Sequence, residues 1–171
     1  MPASTNIVVI ALVLIAAWSD IRTRRIPNSI TVSGAVAGLV LNSFYGGIHG
    51  TVQSLAGAAL GVTIFLALYS TGGMGAGDVK LFGAVGAFVG PQALVLVFVF
   101  TGLLGGIAAL GLALSRGRLR ETVARTGGLL ADAGRLRWQD MRAIAAAPDA
   151  LRLPYGAVIA GGTLISLIVL R

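Results

Sequence analysis

No charged residue lies between Lys80 and Arg116. A helix needs about 20 apolar residues to cross a bilayer, so this stretch is too long for one crossing. It also offers no polar face that would suit a surface in water. In a hydrocarbon setting every backbone amide must find its partner inside the protein, which leaves helices as the natural solution. Gly90-Pro91 is where the run divides, because proline lacks an amide proton and crowds the preceding turn. The first part, residues 79–89, would rise only ~17 Å as a helix, against a hydrocarbon core of ~30 Å. Either the membrane thins there or that helix begins inside a cavity lined by protein.

The composition agrees with a membrane fold. Of 171 residues, 56% are hydrophobic and 11% charged, where a soluble domain carries about 25% charged. Twenty-five glycines suit close helix packing in lipid. Cysteine is absent, which excludes disulfides, thiolate zinc sites and a cysteine nucleophile. The single histidine, His49, leaves no His-rich metal site. The net charge is +7, yet the basic residues sit between apolar runs. Orientation in a bilayer explains them better than nucleic acid does. No Lys or Arg precedes Arg22, so the basic start of a cleavable signal peptide is not expected.

The expected architecture is all-α and polytopic, with about six transmembrane helices in one domain. Its spans are about 5–19, 29–45, 52–70, 79–89, 92–114 and 154–170, with a loop at 115–153. That loop carries eight arginines and four acids, Glu121, Asp132, Asp140 and Asp149. Residues 136–147 are weakly amphipathic, with Trp138, Met141 and Ala145 on one side. The loop therefore has two readings: one lying partly on anionic lipid, and one solvated and serving topology alone. With the N-terminus outside, six crossings gather every basic residue except Arg171 on one face. The positive-inside bias makes that face cytoplasmic and argues for six crossings.

Asp20 and Asp78 fall on that same side, each beside helix-breaking residues. Asp20 precedes Arg22, Arg24, Arg25 and Ile26-Pro27-Asn28; Asp78 follows Gly72-Gly73-Met74-Gly75-Ala76-Gly77. Acids at membrane depth are expensive, and they suggest function. Two carboxylates within a few ångströms cannot both ionise easily, so they share a proton. Such a pair can activate water against a peptide carbonyl, one acting as base and one as acid, with no metal or cofactor. It can equally relay protons or ions in a small transporter subunit, or form interface contacts in a non-enzymatic assembly factor. Glycines favour the first reading, because Gly75 and Gly77 leave backbone open to an extended substrate. Lys80 either biases Asp78 and binds substrate carbonyls or snorkels at the interface. Asn28 either orients Asp20 or caps the next helix. Trp18 and Trp138 read as interface anchors.

Gly75-Ala76-Gly77-Asp78-Val79-Lys80 resembles the Gly-x-Gly-Asp-x-Lys motif of the type IV prepilin peptidases. Asp20, Arg22 and Ile26-Pro27-Asn28 resemble that family's first aspartate motif, and Pro154-Tyr155-Gly156 is similar to an element near its last span. The resemblance covers nearly the whole chain. It implies an integral aspartic endopeptidase of the inner membrane, with Asp20 and Asp78 as the catalytic pair at the cytoplasmic face. It implies a prepilin or pseudopilin substrate with a basic leader, and pilus assembly machinery as a partner. No metal, cofactor or nucleic acid is implied. Among members, the chain resembles the short type serving Flp (tight-adherence) pili, without N-methylation of the product.

Overall fold

The computed structural model describes residues 2–70, 72, 74–115 and 154–170. The basic loop expected at 115–153, its amphipathic stretch and Trp138 lie outside the described residues, apart from Ser115. The described residues form four helical elements and no strand: α1 (Ala3–Thr23), α2 (Asn28–Ser70), α3 (Ala76–Ser115) and α4 (Tyr155–Val169). The first three contain stretches long and apolar enough to cross a membrane, Ala3–Thr23, Asn28–Ser70 and Ala76–Leu112.

The two long helices are each broken once, at a glycine with a left-handed φ. In α2 the break is Gly47 (φ 56°, ψ −140°). Beyond it the two limbs close on each other. Ser43 and Thr51 share a hydroxyl hydrogen bond of 2.7 Å, and a Cβ on Gly50 would collide with the Asn42 carbonyl. A side chain at position 47 would meet open space but a costly backbone conformation, so the φ is what demands glycine there. In α3 the break is Gly90 (φ 74°, ψ 173°), followed by Pro91.

Proline at 91 has a definite structural cost. The Ala87 carbonyl would ordinarily accept from the amide of residue 91, which proline lacks. An unsatisfied carbonyl in an apolar bundle is expensive. The Ala87 oxygen instead accepts from Asn42 Nδ2 at 2.8 Å and from Ser54 Oγ at 2.8 Å, one from each limb of α2. Asn42 Nδ2 also reaches the Phe88 carbonyl at 3.0 Å. Asn42→Ala therefore takes that donor from the Phe88 carbonyl and leaves Ala87 with Ser54 alone, and we expect it to cost about 1–3 kcal/mol. The check is the thermal unfolding midpoint in detergent, which should fall below that of the parent.

The short limb before Gly90 is the centre of the bundle. Every residue from Leu81 to Phe88 is buried, on all faces of the helix. A helix apolar all round is covered by protein or by lipid, and here protein covers it. Both limbs of α2 wrap it through glycine contacts. Gly57 and Gly86 face each other so closely that a Cβ on either would run into the other's carbonyl. A Cβ on Gly61 would stand 2.8 Å from the Phe82 carbonyl oxygen, and one on Gly38 would stand 3.0 Å from the Ala87 carbonyl carbon. Phe65 of α2 stacks on Phe82, with ring centroids 3.9 Å apart, and Phe98 meets both edge-on. Protein surrounds residues 81–88 on every side.

Small residues also seat α4. A Cβ on Gly162 would meet the Thr101 backbone nitrogen at 2.7 Å, and one on Gly161 would meet Leu104 Cδ1 at 2.8 Å. Gly34 of α2 admits the Leu12 side chain of α1 in the same way. These approaches bring the end of α1, the start of α3 and the start of α4 to one end of the bundle.

Candidate active site

α1 runs past Asp20 to Thr23, so Asp20 lies in the last helical turn and not beyond it. The reason is local. The Arg24 amide donates to the Asp20 carbonyl at 2.8 Å, with Arg24 in the left-handed conformation (φ 53°) that often closes a helix. The Ser19 hydroxyl donates to the Arg25 carbonyl at 2.9 Å. The Thr23 hydroxyl is shared between the Ser19 and Arg25 carbonyls, at 2.8 and 3.1 Å. The chain then turns at Ile26-Pro27 into α2. This turn keeps Arg22 and Arg25 exposed and leaves Asp20 only 7% exposed. The Arg22 guanidinium lies 4.9 Å from the centre of the Trp18 ring, a cation–π contact on the outer face of α1.

α3 starts at Ala76, so Asp78 lies in its first turn, 8% exposed. The Gly75 amide donates to Asp78 Oδ2 at 3.0 Å, and the Asp78 amide donates back to the Gly75 carbonyl at 3.1 Å. This is the acid's half of a capping box. It has one structural consequence: the carboxylate is locked to its own helix start. Gly75 stands 3.3 Å from that oxygen at its Cβ position, and so leaves the acid uncovered.

Asp20 is held from a distant part of the chain. The Gly156 amide, in the first turn of α4, donates to Asp20 Oδ2 at 2.8 Å in a buried hydrogen bond. A Cβ on Gly156 would stand 2.9 Å from Asp20 Cβ and 3.0 Å from Oδ2, closer than real contacts allow. Glycine is thus required there by proximity alone. Each carboxylate commits Oδ2 to a backbone amide, and the other oxygen accepts no hydrogen bond from a described residue.

Ile26 joins the two halves. Its Cβ is 3.2 Å from the Cβ position of Gly77, next to Asp78, and its Cδ1 is 3.1 Å from that of Gly156, next to Asp20. The two acids lie near enough for their charges to interact. Lys80 is exposed, and its ammonium donates to Asn28 Oδ1 at 2.8 Å. Asn28, offered by the sequence as a helix cap or an Asp20 partner, here spans from the start of α2 to the start of α3.

The structure therefore gathers Asp20, Asp78, Gly75, Gly77, Lys80 and Asn28 at one end of the bundle. Sequence reasoning gave no role to Ile26 or Gly156. Their signal was present but weak: both flank helix starts near a proline, Pro27 and Pro154. His49 is exposed beside the Gly47 break in α2. No group of three or more His, Cys, Asp or Glu among the described residues could hold a metal ion.

Residues 7–110 match the type IV leader peptidase family. The chain is 34% identical over 130 residues to a prepilin leader peptidase/N-methyltransferase of Aeromonas hydrophila, covering 71% of this chain and 44% of that one. It is 37% identical over 110 residues to the protein of the same name from Bacillus subtilis, covering 59% and 41%. A prepilin peptidase of Methanocaldococcus jannaschii is 36% identical over 74 residues, covering 43% and 20%. The chain spans less than half the length of these curated relatives. No solved structure matches it.

Proposed function

Because this chain belongs to the type IV leader peptidase family, we propose that it is a membrane aspartic endopeptidase that removes the leader from prepilins or pseudopilins. What supports the reading is the gathering of Asp20 and Asp78 at one end of the bundle. They come from separate helices, both nearly buried, with Ile26 packed against the glycine beside each.

In the proposed reaction the ionised carboxylate takes a proton from a water molecule. The water oxygen bonds to the scissile carbonyl carbon, and the other carboxyl gives its proton to the carbonyl oxygen. Collapse of the tetrahedral gem-diol breaks the C–N bond: the first carboxyl returns its proton to the leaving amine, and a gem-diol hydroxyl gives its proton back to the second carboxylate. Asp20 and Asp78 perform this chemistry. Gly75 leaves room for the substrate backbone, Gly77 admits Ile26, and the Lys80–Asn28 bond ties the start of α3 to the start of α2. The reading covers peptide cleavage alone, and methyl transfer forms no part of it.

The substrate fits a short basic leader followed by an apolar helix, presented at the inner leaflet of the cytoplasmic membrane. We assign six crossings with the N-terminus outside, and lipid and the pilus assembly machinery as partners. Co-expression with such a pilin should convert it to the shorter form, and an unshortened pilin beside well-inserted protein overturns the assignment. A transporter using the same acids would instead show proton-linked flux without any change in pilin size.

The topology has its own test, aided by the absence of cysteine. With His49→Cys, an impermeant maleimide should label intact spheroplasts. With Arg25→Cys, labelling should wait for permeabilisation. The reverse pattern would invert the proposed orientation.

A further inference from the structure

We infer that Ile26 is a positioning residue: its side chain, wedged between Gly77 and Gly156, sets the gap across which Asp20 and Asp78 act together. The inference rests on the two-aspartate reading above and names what holds that pair at its working distance.

Each acid is fixed within its own half of the site. Asp20 is tied to the first turn of α4 through the Gly156 amide, and Asp78 to its own helix start through the Gly75 amide. Neither bond fixes one half against the other. Ile26 touches both halves. The three atoms nearest the Cβ position of Gly77 all belong to Ile26, with its Cβ at 3.2 Å. Its Cδ1 stands 3.1 Å from the Cβ position of Gly156, which Asp20 Cβ and Oδ2 approach to 2.9 and 3.0 Å. The two ends of one side chain therefore face the two halves, and its length spans the space between them.

The wedge is itself held from both sides along the chain. The Arg25 carbonyl before it accepts from Ser19 Oγ at 2.9 Å and Thr23 Oγ1 at 3.1 Å. The Pro27 carbonyl after it accepts from the Ile30 and Thr31 amides at 3.1 and 3.4 Å, at the start of α2. Pro27 confines residue 26 to extended backbone, and branching at Cβ stiffens the side chain at χ1. Such a side chain transmits a position where a flexible one would adapt. The chemistry is sensitive to that position, since a misplacement of about 1 Å can cost 10²-fold in rate. Isoleucine has no polar atom to offer the reaction, so it acts only through where it holds the acids. A half-buried side chain that merely lined the substrate path would act on KM instead.

A graded series at position 26 tests this. Ile26→Val removes the methyl that faces Gly156, Ile26→Ala removes everything beyond Cβ, and Ile26→Leu restores the reach. Cleavage of a prepilin with a short basic leader is followed at varied substrate concentration with purified protein in detergent, beside the unfolding midpoint. Leu94→Ala serves as the packing control, because Leu94 is fully buried against Gly86, at the other end of the same α3 limb from Asp78. We expect kcat to fall by about tenfold in Ile26→Val and about 10²-fold in Ile26→Ala, with KM at the parental value, and Ile26→Leu to return to within about threefold. Leu94→Ala should melt earlier yet keep the parental kcat. Where Ile26→Ala yields no folded protein, Ile26→Val carries the comparison. A parental kcat in Ile26→Val and Ile26→Ala, with Asp20→Asn and Asp78→Asn inert, overturns the role of Ile26 and leaves the two aspartates standing. A raised KM at parental kcat also overturns it, as does a fall of kcat in Leu94→Ala matching its loss of stability. Cleavage by either Asp→Asn variant overturns the two-aspartate reading itself.

Discussion

Asp20→Asn and Asp78→Asn should each abolish leader removal, by about 10³-fold or more, while leaving the protein inserted and folded. The size follows from the division of labour. Base and acid act in one step, so neither half retains much rate alone, and the double variant should be scarcely worse than either single one. Folding is spared because asparagine keeps a carbonyl oxygen in the place of Oδ2. It can still accept from Gly156 at position 20 and from Gly75 at position 78. The measurement is pilin size on co-expression, paired with the unfolding midpoint of each purified variant. Processing at the parental rate by either variant would remove the two-aspartate mechanism.

Gly57→Leu should destroy the bundle. The contact it breaks is backbone against backbone, with Gly86 opposite. No rotamer change can relieve it, since a main-chain carbonyl occupies the place of the new Cβ. Overpacking in a dense core typically costs 1–3 kcal/mol, and here the rigid neighbour puts the cost at about 3 kcal/mol or above. The loss also reaches the site, because α2 and the central limb of α3 set the position of Asp78. Gly102→Leu is the matching control: a Cβ there meets nothing within 4 Å. We expect little monodisperse protein from Gly57→Leu and parental yield and melting from Gly102→Leu. Equal behaviour of the two would show that the Gly57–Gly86 approach is not what holds the helices together.

The two acids were visible in the sequence because charge in an apolar chain is conspicuous. Outside the basic stretch 116–152, Asp20 and Asp78 are the only acids in the chain. The break at Gly90-Pro91 was visible for an equally local reason, the missing amide of proline. The response to that break was not. Asn42 and Ser54 look like ordinary polar residues in an apolar run, and only the folded chain sets both against the Ala87 carbonyl. Gly156 stood out only through the likeness of Pro154-Tyr155-Gly156 to a family element, and that likeness does not say that its amide meets an acid near the other end of the chain.

The sequence by itself determined that this is a helical chain made for lipid, that it belongs to the type IV leader peptidase family, and which acids stand out. Those properties depend on composition, short motifs and the spacing of breaks, which reside in neighbouring residues. The tertiary structure alone decided that Leu81–Phe88 is enclosed, that α4 holds Asp20, and that Ile26 packs beside both acids. These depend on how closely distant backbones approach, and that distance is set where glycine meets glycine or a carbonyl across a helix seam. A pattern along one strand of sequence records that a residue is small, and only the packed bundle shows which partner its smallness admits.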